Sequence, residues 1–415
     1  MYKQINKILF SRSFRRMSGK TQLFSNYSND HFHNRLTHVL EVTSVSEQIS
    51  KSLNLSCNDL LIKNIALSHD LGHTPFGHAG ERALNDITFQ VDNLNGLLNF
   101  ATYSKVLFKH NYFSAKVLLG IGQLDNKIYN KILAGVILHT DLDYKKYPLT
   151  ETEKKKTVKF YIENYGKTRH VWKYIDNNFI EARLVSFADE IAQVSSDLHD
   201  ILTSSIFIAN DILINSILPK SYRKTLVGYP NDIRIKSLIN AYTEYLVCGV
   251  RYNNKAGNFY LLKAQQSSFD YVKKLVEEKI QSSPLVRNFD NKGIYVIKKL
   301  FKAYYSNPSL MEDKTIDKIL EMSNSIYNSY SAEYKTKLEL ELVNKLSAKT
   351  EKEKIYFIKL IIDKCKLFST LTKENKNFVK SVNTKIVFSI IFTIANMTDR
   401  YSLARYSDIF GIEVK

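Results

Sequence analysis

The chain has 415 residues, enough for one large domain or two domains of ordinary size. Hydrophobic residues make up 44% and charged residues 24%, which is typical of a protein with a substantial core and excludes a disordered chain. Only 14 Gly and 6 Pro are present. This scarcity disfavours sandwiches and barrels, which need a turn roughly every eight to twelve residues, and favours an all-α fold.

The charge is strongly basic, at +18 with an isoelectric point near 9.4. Such a balance favours polyanionic partners, namely nucleotides, nucleic acid or a membrane surface. Lys, Asn and Tyr are abundant throughout, so base-composition bias in the gene is an equally good explanation. Both interpretations stay open at this point.

The cysteines and the apolar runs indicate the compartment. Cys57, Cys248 and Cys365 are far apart and form no CxxC pair, which favours a reducing compartment without disulfides or a thiolate zinc site. The longest apolar run, residues 386–397, is too short to span a bilayer. The basic segment 1–17 has some features of a transit peptide but continues directly into a motif discussed below. We expect a cytoplasmic protein without a membrane partner.

Helical periodicity recurs along the chain. Apolar residues repeat at helical spacing within 36–49, 60–67 and 386–397, and no alternating run predicts a strand of useful length. Residues 141–170 are polar and Lys-rich with an isolated Gly166, which predicts an insertion or mobile loop between helices.

No fixed-period repeat or low-complexity linker divides the chain. We predict a helical core over residues 1–205, with an N-terminal substrate-binding segment. A helical C-terminal region over 206–415 is expected to pack on this core as one unit.

Histidine clustering is the first chemical signal, because six of the ten histidines lie between residues 31 and 78. The densest stretch is LSHDLGHTPFGHAGE, residues 67–81. His69 and Asp70 end an apolar helix, and Gly72 is a natural stop for it. Imidazole and carboxylate together suit divalent metals.

The same stretch predicts a second helix. Gly72, Pro75 and Gly77 require a tight connection, after which a helix should begin near Gly77. His78 and Glu81 then share one helix face, where the carboxylate can orient the imidazole.

A metal needs more than two ligands. His38 lies on a preceding amphipathic helix and Asp189, in SFADEIA, on a later one. With His69 and Asp70 they supply two imidazoles and two carboxylates and leave positions open for water and substrate. By spacing alone, helix-capping acids and surface histidines remain an alternative.

The H…HD…D pattern resembles that of the HD-domain phosphohydrolases, and the surrounding sequence is similar to one branch, the dGTPase-type dNTP triphosphohydrolases. The resemblance runs in the family's order from end to end. The matching stretches are SRSFRRMSGKTQLF (11–24), NRLTHVLEV (34–42), HDLGHTPFGHAGE (69–81), FKHNYFS (108–114), EARLVSFADEIAQVSSDLHD (181–200), KGIYVIKKLFKAYYSNP (292–308) and MTDRYSLARY (397–406).

The resemblance implies an all-helical fold and a role for each matching residue. The metal ligands would be His38, His69, Asp70 and Asp189, and the ion would be one divalent Mn, Mg, Fe, Co or Zn per site. The catalytic pair would be His78 and Glu81, with His110 and His73 on the phosphate side. The substrate-binding residues would be Arg35 at the phosphates, Gln22 and Asp197 at the 3′-hydroxyl, and Gln193 near the sugar.

Three positions depart from the family's pattern. Gln193 stands where the family usually has Tyr, Ser196 where a His is frequent, and His33 where an Arg is frequent. None removes a metal ligand or the His78–Glu81 pair. We expect the reaction to be retained and the rejection of ribonucleotides to be weaker. His139, His170 and His199 match nothing in the family and are interpreted as structural.

The expected reaction is metal-dependent hydrolysis of a dNTP to deoxynucleoside and inorganic triphosphate. The expected assembly is an even-numbered homo-oligomer, a tetramer or hexamer, with single-stranded nucleic acid as a candidate regulator. One alternative is an HD phosphohydrolase acting on other nucleotides, which the KTQ and FKHN motifs disfavour. The other is a nucleotide-sensing or single-strand-binding regulator with the same fold, which the basic charge favours and the intact acid–base pair disfavours.

Overall fold

The computed structural model describes residues 1–22, 33–121, 126–142, 144, 147–162, 168–177, 179–204, 210–223 and 231–411. Within these ranges the chain forms 21 α-helices and a single short antiparallel sheet. The predicted all-α class is confirmed. The predicted boundary between residues 205 and 206 and the isolated Gly166 lie outside the described residues.

The α-helices are numbered in chain order. The first eleven are α1 (Tyr2–Leu9), α2 (Arg12–Arg16), α3 (Arg35–Ser52), α4 (Asp59–Ser68), α5 (Gly77–Thr88), α6 (His110–Gly120), α7 (Asn126–Leu138), α8 (Glu151–Ile162), α9 (Thr168–Asn177), α10 (Ile180–Thr203) and α11 (Asp211–Ile217). The remaining ten are α12 (Lys220–Arg223), α13 (Asn231–Cys248), α14 (Lys263–Ser282), α15 (Pro284–Ser306), α16 (Asp313–Asn328), α17 (Ala332–Thr336), α18 (Leu340–Asn344), α19 (Glu351–Lys366), α20 (Lys373–Ala395) and α21 (Asp399–Phe410). Short 3₁₀ turns cover Met17–Gly19, Phe100–Thr102, Pro308–Leu310, Lys345–Ser347 and Phe368–Thr370.

A β-hairpin that the sequence analysis missed interrupts the helices. Strands β1 (Val250–Asn253) and β2 (Asn258–Leu261) pair antiparallel, with Val250 opposite Leu261 and Asn253 opposite Asn258. The turn between them contains Gly257 at φ +65°, a conformation that Gly adopts without strain. Four residues a strand are too few for an alternating pattern to stand out.

The prediction of a loop over residues 141–170 was wrong for its central part, where α8 occupies Glu151–Ile162. Thr150 and Glu153 start this helix with a capping box. The Glu153 amide donates to the Thr150 hydroxyl, and the Thr150 amide donates to the Glu153 carboxylate at 2.9 Å. Each bond satisfies a backbone donor that a helix start leaves without a partner.

The chain divides into two compact units, and both are discontinuous in sequence. The first comprises residues 1–73 and 109–291. Its central element is α10, a helix of 24 residues whose buried face packs against α3, α4, α7, α13 and α14. The predicted helices over 36–49 and 60–67 are confirmed as α3 and α4.

The second unit comprises residues 74–108 and 292–415. Its central helix α20 packs against α16, α19 and α5. By length and composition α20 could cross a membrane, but 72% of its apolar window is buried inside the protein, as in a core helix.

The turn that follows α4 packs tightly against α6. A Cβ on Gly72 would meet the backbone of Phe113 and Ser114 on α6. The Gly72 amide also donates to the Ser114 hydroxyl at 2.8 Å. The absence of a side chain at Gly72 therefore allows the backbone of this turn to approach that of α6. The helix α4 itself ends four residues before Gly72, at Ser68.

Replacing Gly72 tests this packing. Gly72→Ala should lower the unfolding temperature, because the added methyl group must displace α6, and overpacking of this kind typically costs about 1–3 kcal/mol. Gly120→Ala, at the end of the same helix α6, is the matched control, since nothing lies within 4 Å of its added Cβ. Far-ultraviolet circular dichroism melts compare the two, and equal melting temperatures would contradict the packing role.

Candidate active site

The candidate ligand His69 is oriented by the end of α4. It follows Ser68, the last residue of the helix, and its Nδ1 donates to the Ala66 carbonyl oxygen at 2.7 Å. A carbonyl can only accept, so in the neutral ring the proton is on Nδ1 and Nε2 carries the lone pair. Nε2 is buried and has no hydrogen-bond partner among the described residues.

Three of the four predicted metal ligands, His38, His69 and Asp189, form one group of ligand atoms in the first unit, and Asp70 lies beside His69. Nε2 of His38, from α3, lies 2.8 Å from Oδ1 of Asp189, from α10. Nε2 of His69 lies 3.8 Å from Oδ1 of Asp189 and 3.8 Å from Oδ1 of Asp70. Atoms bound to one ion at about 2.1 Å would be about 3–4 Å apart. The donor set and the spare lone pair of His69 therefore fit a divalent metal.

Burial and charge favour ionised carboxylates in this group. Burial alone would raise the pKa of Asp70, but the neighbouring His69 and Arg35 charges hold it well below its usual range. The pKa of Asp189 is likewise lowered, because the hydrogen bond from His38 and the charges of His69 and His38 together outweigh burial. That hydrogen bond raises the pKa of His38, against the lowering effect of burial. An ionised carboxylate suits a metal site, whereas His38 must lose its proton before its Nε2 can bind an ion.

Arg35 has a partner in this structure. Its Nη1 donates to Oδ2 of Asp70 at 2.9 Å, and its Nε donates to the Thr21 carbonyl at 3.2 Å. Both members of the ion pair are almost fully buried. The predicted contact of Arg35 with substrate phosphates stays a prediction.

The segment carrying Gln22 is tied to the start of α3. Thr21 and Asn34 form an isolated β-bridge, and the Arg35 amide donates to the Lys20 carbonyl at 3.1 Å. The Lys20 ammonium in turn donates to the His73 carbonyl. Gln22 is buried, and neither of its amide atoms has a hydrogen-bond partner among the described residues. A buried amide of this kind is suited to a ligand, as predicted for the 3′-hydroxyl.

Asp197 lies on α10, about two turns beyond Asp189. Burial and the neighbouring Asp200 charge raise its pKa to about 7, although the charges of His38 and Arg35 act in the opposite direction. The carboxyl group is therefore partly protonated at neutral pH. Its pairing with Gln22 at a sugar hydroxyl stays a prediction.

The departures from the family's pattern lie on or beside α10. Gln193 is half-buried, and its carbonyl accepts from the Ser196 hydroxyl at 3.1 Å within the helix. Nδ1 of His33 lies 2.6 Å from Oδ1 of Asp200, and Nε2 lies 3.0 Å from Oε1 of Glu41. Burial lowers the pKa of His33, but these two bonds raise it to about 10. His33 is therefore a cation, as the family's Arg would be.

His139, interpreted from sequence as structural, lies beside two of the candidate site histidines. It is buried directly after α7, and its Nε2 lies 3.1 Å from Nε2 of His110, which itself lies 3.7 Å from Oδ1 of Asp70. The ring of His110 stacks on that of His73 with centroids 4.6 Å apart. Burial and the charges of His69 and His110 lower the pKa of His139 to about 3. The sequence signal was a single His after an apolar run, VILHT, which is more often structural.

The predicted acid–base pair belongs to the second unit, on α5. The helix starts at Gly77 as predicted, after Phe76 in the left-handed region at φ 60°. The Phe76 amide donates to Oδ1 of Asp399 at 2.9 Å, which holds this turn. His78 is exposed and Glu81 is buried, three residues apart on the helix. Their catalytic role stays a prediction.

A cavity of about 720 Å³ lies in the first unit. Leu138 and Thr140, on either side of His139, line it, as does Glu190, which follows Asp189. It therefore adjoins the ligand group. Its lining includes Trp172 and Arg183 but none of the predicted substrate-binding residues.

The chain is similar in sequence to known protein families and to individual proteins. Residues 35–193 match the HD domain, a range that contains every predicted metal ligand. Over 213 residues the chain is 35% identical to the deoxyguanosinetriphosphate triphosphohydrolase-like protein of Rickettsia felis, an alignment that covers 50% of this chain and only 48% of that relative.

Two other proteins, also named deoxyguanosinetriphosphate triphosphohydrolase-like protein, align with the chain over a longer range. It is 28% identical over 335 residues to the Rickettsia akari protein, with 74% of this chain and 78% of the relative covered. It is 27% identical over 416 residues to the Rickettsia prowazekii protein, with 97% and 90% covered.

The raised pKa of Asp197 predicts a pH-dependent stability in the metal-free protein. The folded state binds the proton more tightly than the unfolded state, in which an Asp has a pKa near 3.9. Wild-type stability therefore falls as pH rises from about 4 to about 7. Asp197→Asn should be the more stable protein above pH 7, by up to about 4 kcal/mol, and the difference should vanish below pH 4.

Denaturant titrations between pH 4 and 8 measure this difference. The exposed Asp363→Asn is the matched control, and its stability curve should run parallel to that of the wild type. A gap between Asp197→Asn and wild type that does not change with pH would refute the shifted pKa.

Proposed function

Because the chain belongs to the HD-domain dNTPase family, we propose that this hydrolase splits a dNTP into deoxynucleoside and intact inorganic triphosphate. The observation that supports this most is the group of two imidazoles and two carboxylates in the first unit, three of them buried and Asp189 partly exposed, with neighbouring ligand atoms 2.8–3.8 Å apart. The proposed ligands of one divalent ion are His38, His69, Asp70 and Asp189.

The proposed reaction is attack of water on the α-phosphorus. The bond between that phosphorus and the 5′-oxygen breaks, the water oxygen stays on the triphosphate, and a proton ends on the 5′-oxygen of the deoxynucleoside. A divalent ion at the ligands supplies positive charge at a phosphoryl oxygen.

The chain's own residues position the substrate and move the proton. His78, oriented by Glu81, is proposed as the general acid–base group, since an imidazole titrates near neutral pH. His73 and His110 are proposed to face the phosphates. The charges of His69 and Arg35 lower the pKa of Asp70, and the predicted contact of Arg35 with the phosphates would use the same positive charge.

The proposed sugar site consists of Gln22 and Asp197. Gln22 both donates and accepts, and Asp197, with its pKa of about 7, accepts when ionised and also donates when protonated. Both are buried and have the chemistry to pair with a 3′-hydroxyl. Gln193 in place of Tyr is proposed to weaken the rejection of a ribose.

The setting of the enzyme is proposed on the same grounds. The +18 charge suits nucleotides and a single-stranded nucleic-acid regulator. The cysteine pattern favours the cytoplasm. The ion is proposed to be one of Mn, Mg, Fe, Co or Zn, and the assembly an even-numbered homo-oligomer.

Product analysis tests the reaction. Each of the four dNTPs is incubated with the holoenzyme, and anion-exchange chromatography should show deoxynucleoside and triphosphate in equal amounts. Asp189→Asn should lose both the ion and the turnover, because a ligand charge is removed. Release of dNMP with pyrophosphate would place the protein in another reaction class, and tight nucleotide binding without turnover would favour a binding protein.

Replacing His78 separates chemistry from binding. His78→Ala should retain the ion and bind dNTP while kcat falls about 10²–10⁴-fold, the usual contribution of a general acid–base group. His170→Ala, at an exposed position on α9, is the control and should turn over normally. Near wild-type kcat in His78→Ala would refute the assignment, and so would an equal loss in both variants.

A further inference from the structure

We propose that Asp399 and Gly293 are positioning residues for His78, because together they fix the turn from which its helix starts. The inference rests on the proposed function, since it concerns the orientation of the proposed acid–base group. All the residues involved belong to the second unit. Asp399 is the first residue of α21, and Gly293 lies within α15.

The helix α5 begins from a backbone conformation that needs support. Phe76 precedes the helix with φ 60° and ψ 30°, in the left-handed region, where a bulky side chain is strained. A Phe side chain cannot cap the helix, and the Phe76 carbonyl accepts from the Gly80 amide at 3.4 Å. His78 follows only two residues after Phe76. A change in the backbone at Phe76 would therefore move His78 directly.

A carboxylate from α21 holds this turn. Oδ1 of Asp399 accepts from the Phe76 amide at 2.9 Å, and Asp399 is only 2% exposed. Hydrogen bonds from an amide to an ionised carboxylate are stronger than those between neutral groups. Removing the acceptor would take this partner from a buried backbone donor, which is costly. The turn is then expected to relax away from its strained conformation.

The side chain of Phe76 is held by α15. Phe76 is 2% exposed, and a Cβ on Gly293 would lie 2.5 Å from its Cβ and 2.6 Å from its Cγ. Ala is more favourable than Gly within a helix, so Gly293 does not serve the stability of α15. The absence of a side chain at Gly293 leaves room for Phe76. A methyl group there would have to displace Phe76 and the start of α5 with it.

The competing explanation is that Asp399 only stabilises its own helix, since an acid in the first turn interacts favourably with the helix dipole. The N-cap of α21 is Thr398, whose hydroxyl accepts from the Tyr401 amide at 3.2 Å. Thr398→Ala weakens α21 without removing the acceptor of the Phe76 amide. Asp399→Asn removes the charge but keeps an oxygen that can accept from that amide. These two variants separate the explanations.

Kinetics of the metal-loaded, full-length protein test the positioning role. Asp399→Ala and Gly293→Ala should each lower kcat about 10–100-fold, because misplacing a catalytic group by about 1 Å can cost about 10²-fold. KM and metal content should stay close to those of the wild type, since neither residue is a proposed ligand. Thr398→Ala and Asp399→Asn should keep the wild-type kcat. In a His78→Ala background, Asp399→Ala should cause no further loss, because it acts through that imidazole.

Nuclear magnetic resonance gives a readout that does not depend on turnover. In protein labelled with isotope-enriched histidine, the His78 signal is the one that His78→Ala lacks. This signal should shift in Asp399→Ala and Gly293→Ala but stay in place in Thr398→Ala. If the wild type releases no triphosphate while these shifts occur, the proposed function fails and the positioning of His78 by this turn stands.

Three results would overturn the proposal. The first is a folded Asp399→Ala protein whose kcat and His78 signal match those of Thr398→Ala. The second is a double variant in which the losses from Asp399→Ala and His78→Ala multiply, because Asp399 would then act independently of His78. The third is an equal loss in Asp399→Asn and Asp399→Ala, which would assign the effect to the charge on α21. If Asp399→Ala does not fold, Gly293→Ala makes the same comparisons from α15.

Discussion

The buried ion pair between Arg35 and Asp70 is the constraint on which the site depends. Two buried charges are tolerated only as partners, and removing one would leave the other uncompensated at a cost of about 3–5 kcal/mol. The pair joins the start of α3 to the turn after α4. Arg35 also donates a hydrogen bond to the Thr21 carbonyl. His38 lies about one turn after Arg35 on α3. A single interaction thus places two candidate ligands and the segment that carries Gln22.

Much of this arrangement could be predicted from sequence, because it depends on long periodic helices and on a motif whose residues resemble a family's. The candidate ligands His38, His69, Asp70 and Asp189 were predicted from that motif. His139 could not be predicted, since its neighbours His69 and His110 come from other parts of the chain and only folding brings them together. The helix over residues 151–162 was missed for another reason. The segment is polar and Lys-rich, which favoured a loop, although Thr150 and Glu153 form a capping box that indicates a helix start.

His33 shows how a substitution can change the residue and keep the charge. Where the family often has Arg, this imidazole contacts both Asp200 and Glu41, and its pKa of about 10 keeps it protonated through the physiological range. The Asp200 charge also raises the pKa of the nearby Asp197, and the His33 charge opposes that effect. The substitution is therefore conservative in charge at neutral pH.

The division of the first unit between residues 1–73 and 109–291 has a consequence for synthesis. Ribosomes add roughly 5–20 residues a second, so Asp189 emerges on the order of ten seconds after His69 and Asp70. Arg35 and Asp70 are already present together in the nascent chain during this interval and can neutralise each other. Asp189 is thus the last candidate ligand to emerge. By then Arg35 can already neutralise the charge of Asp70.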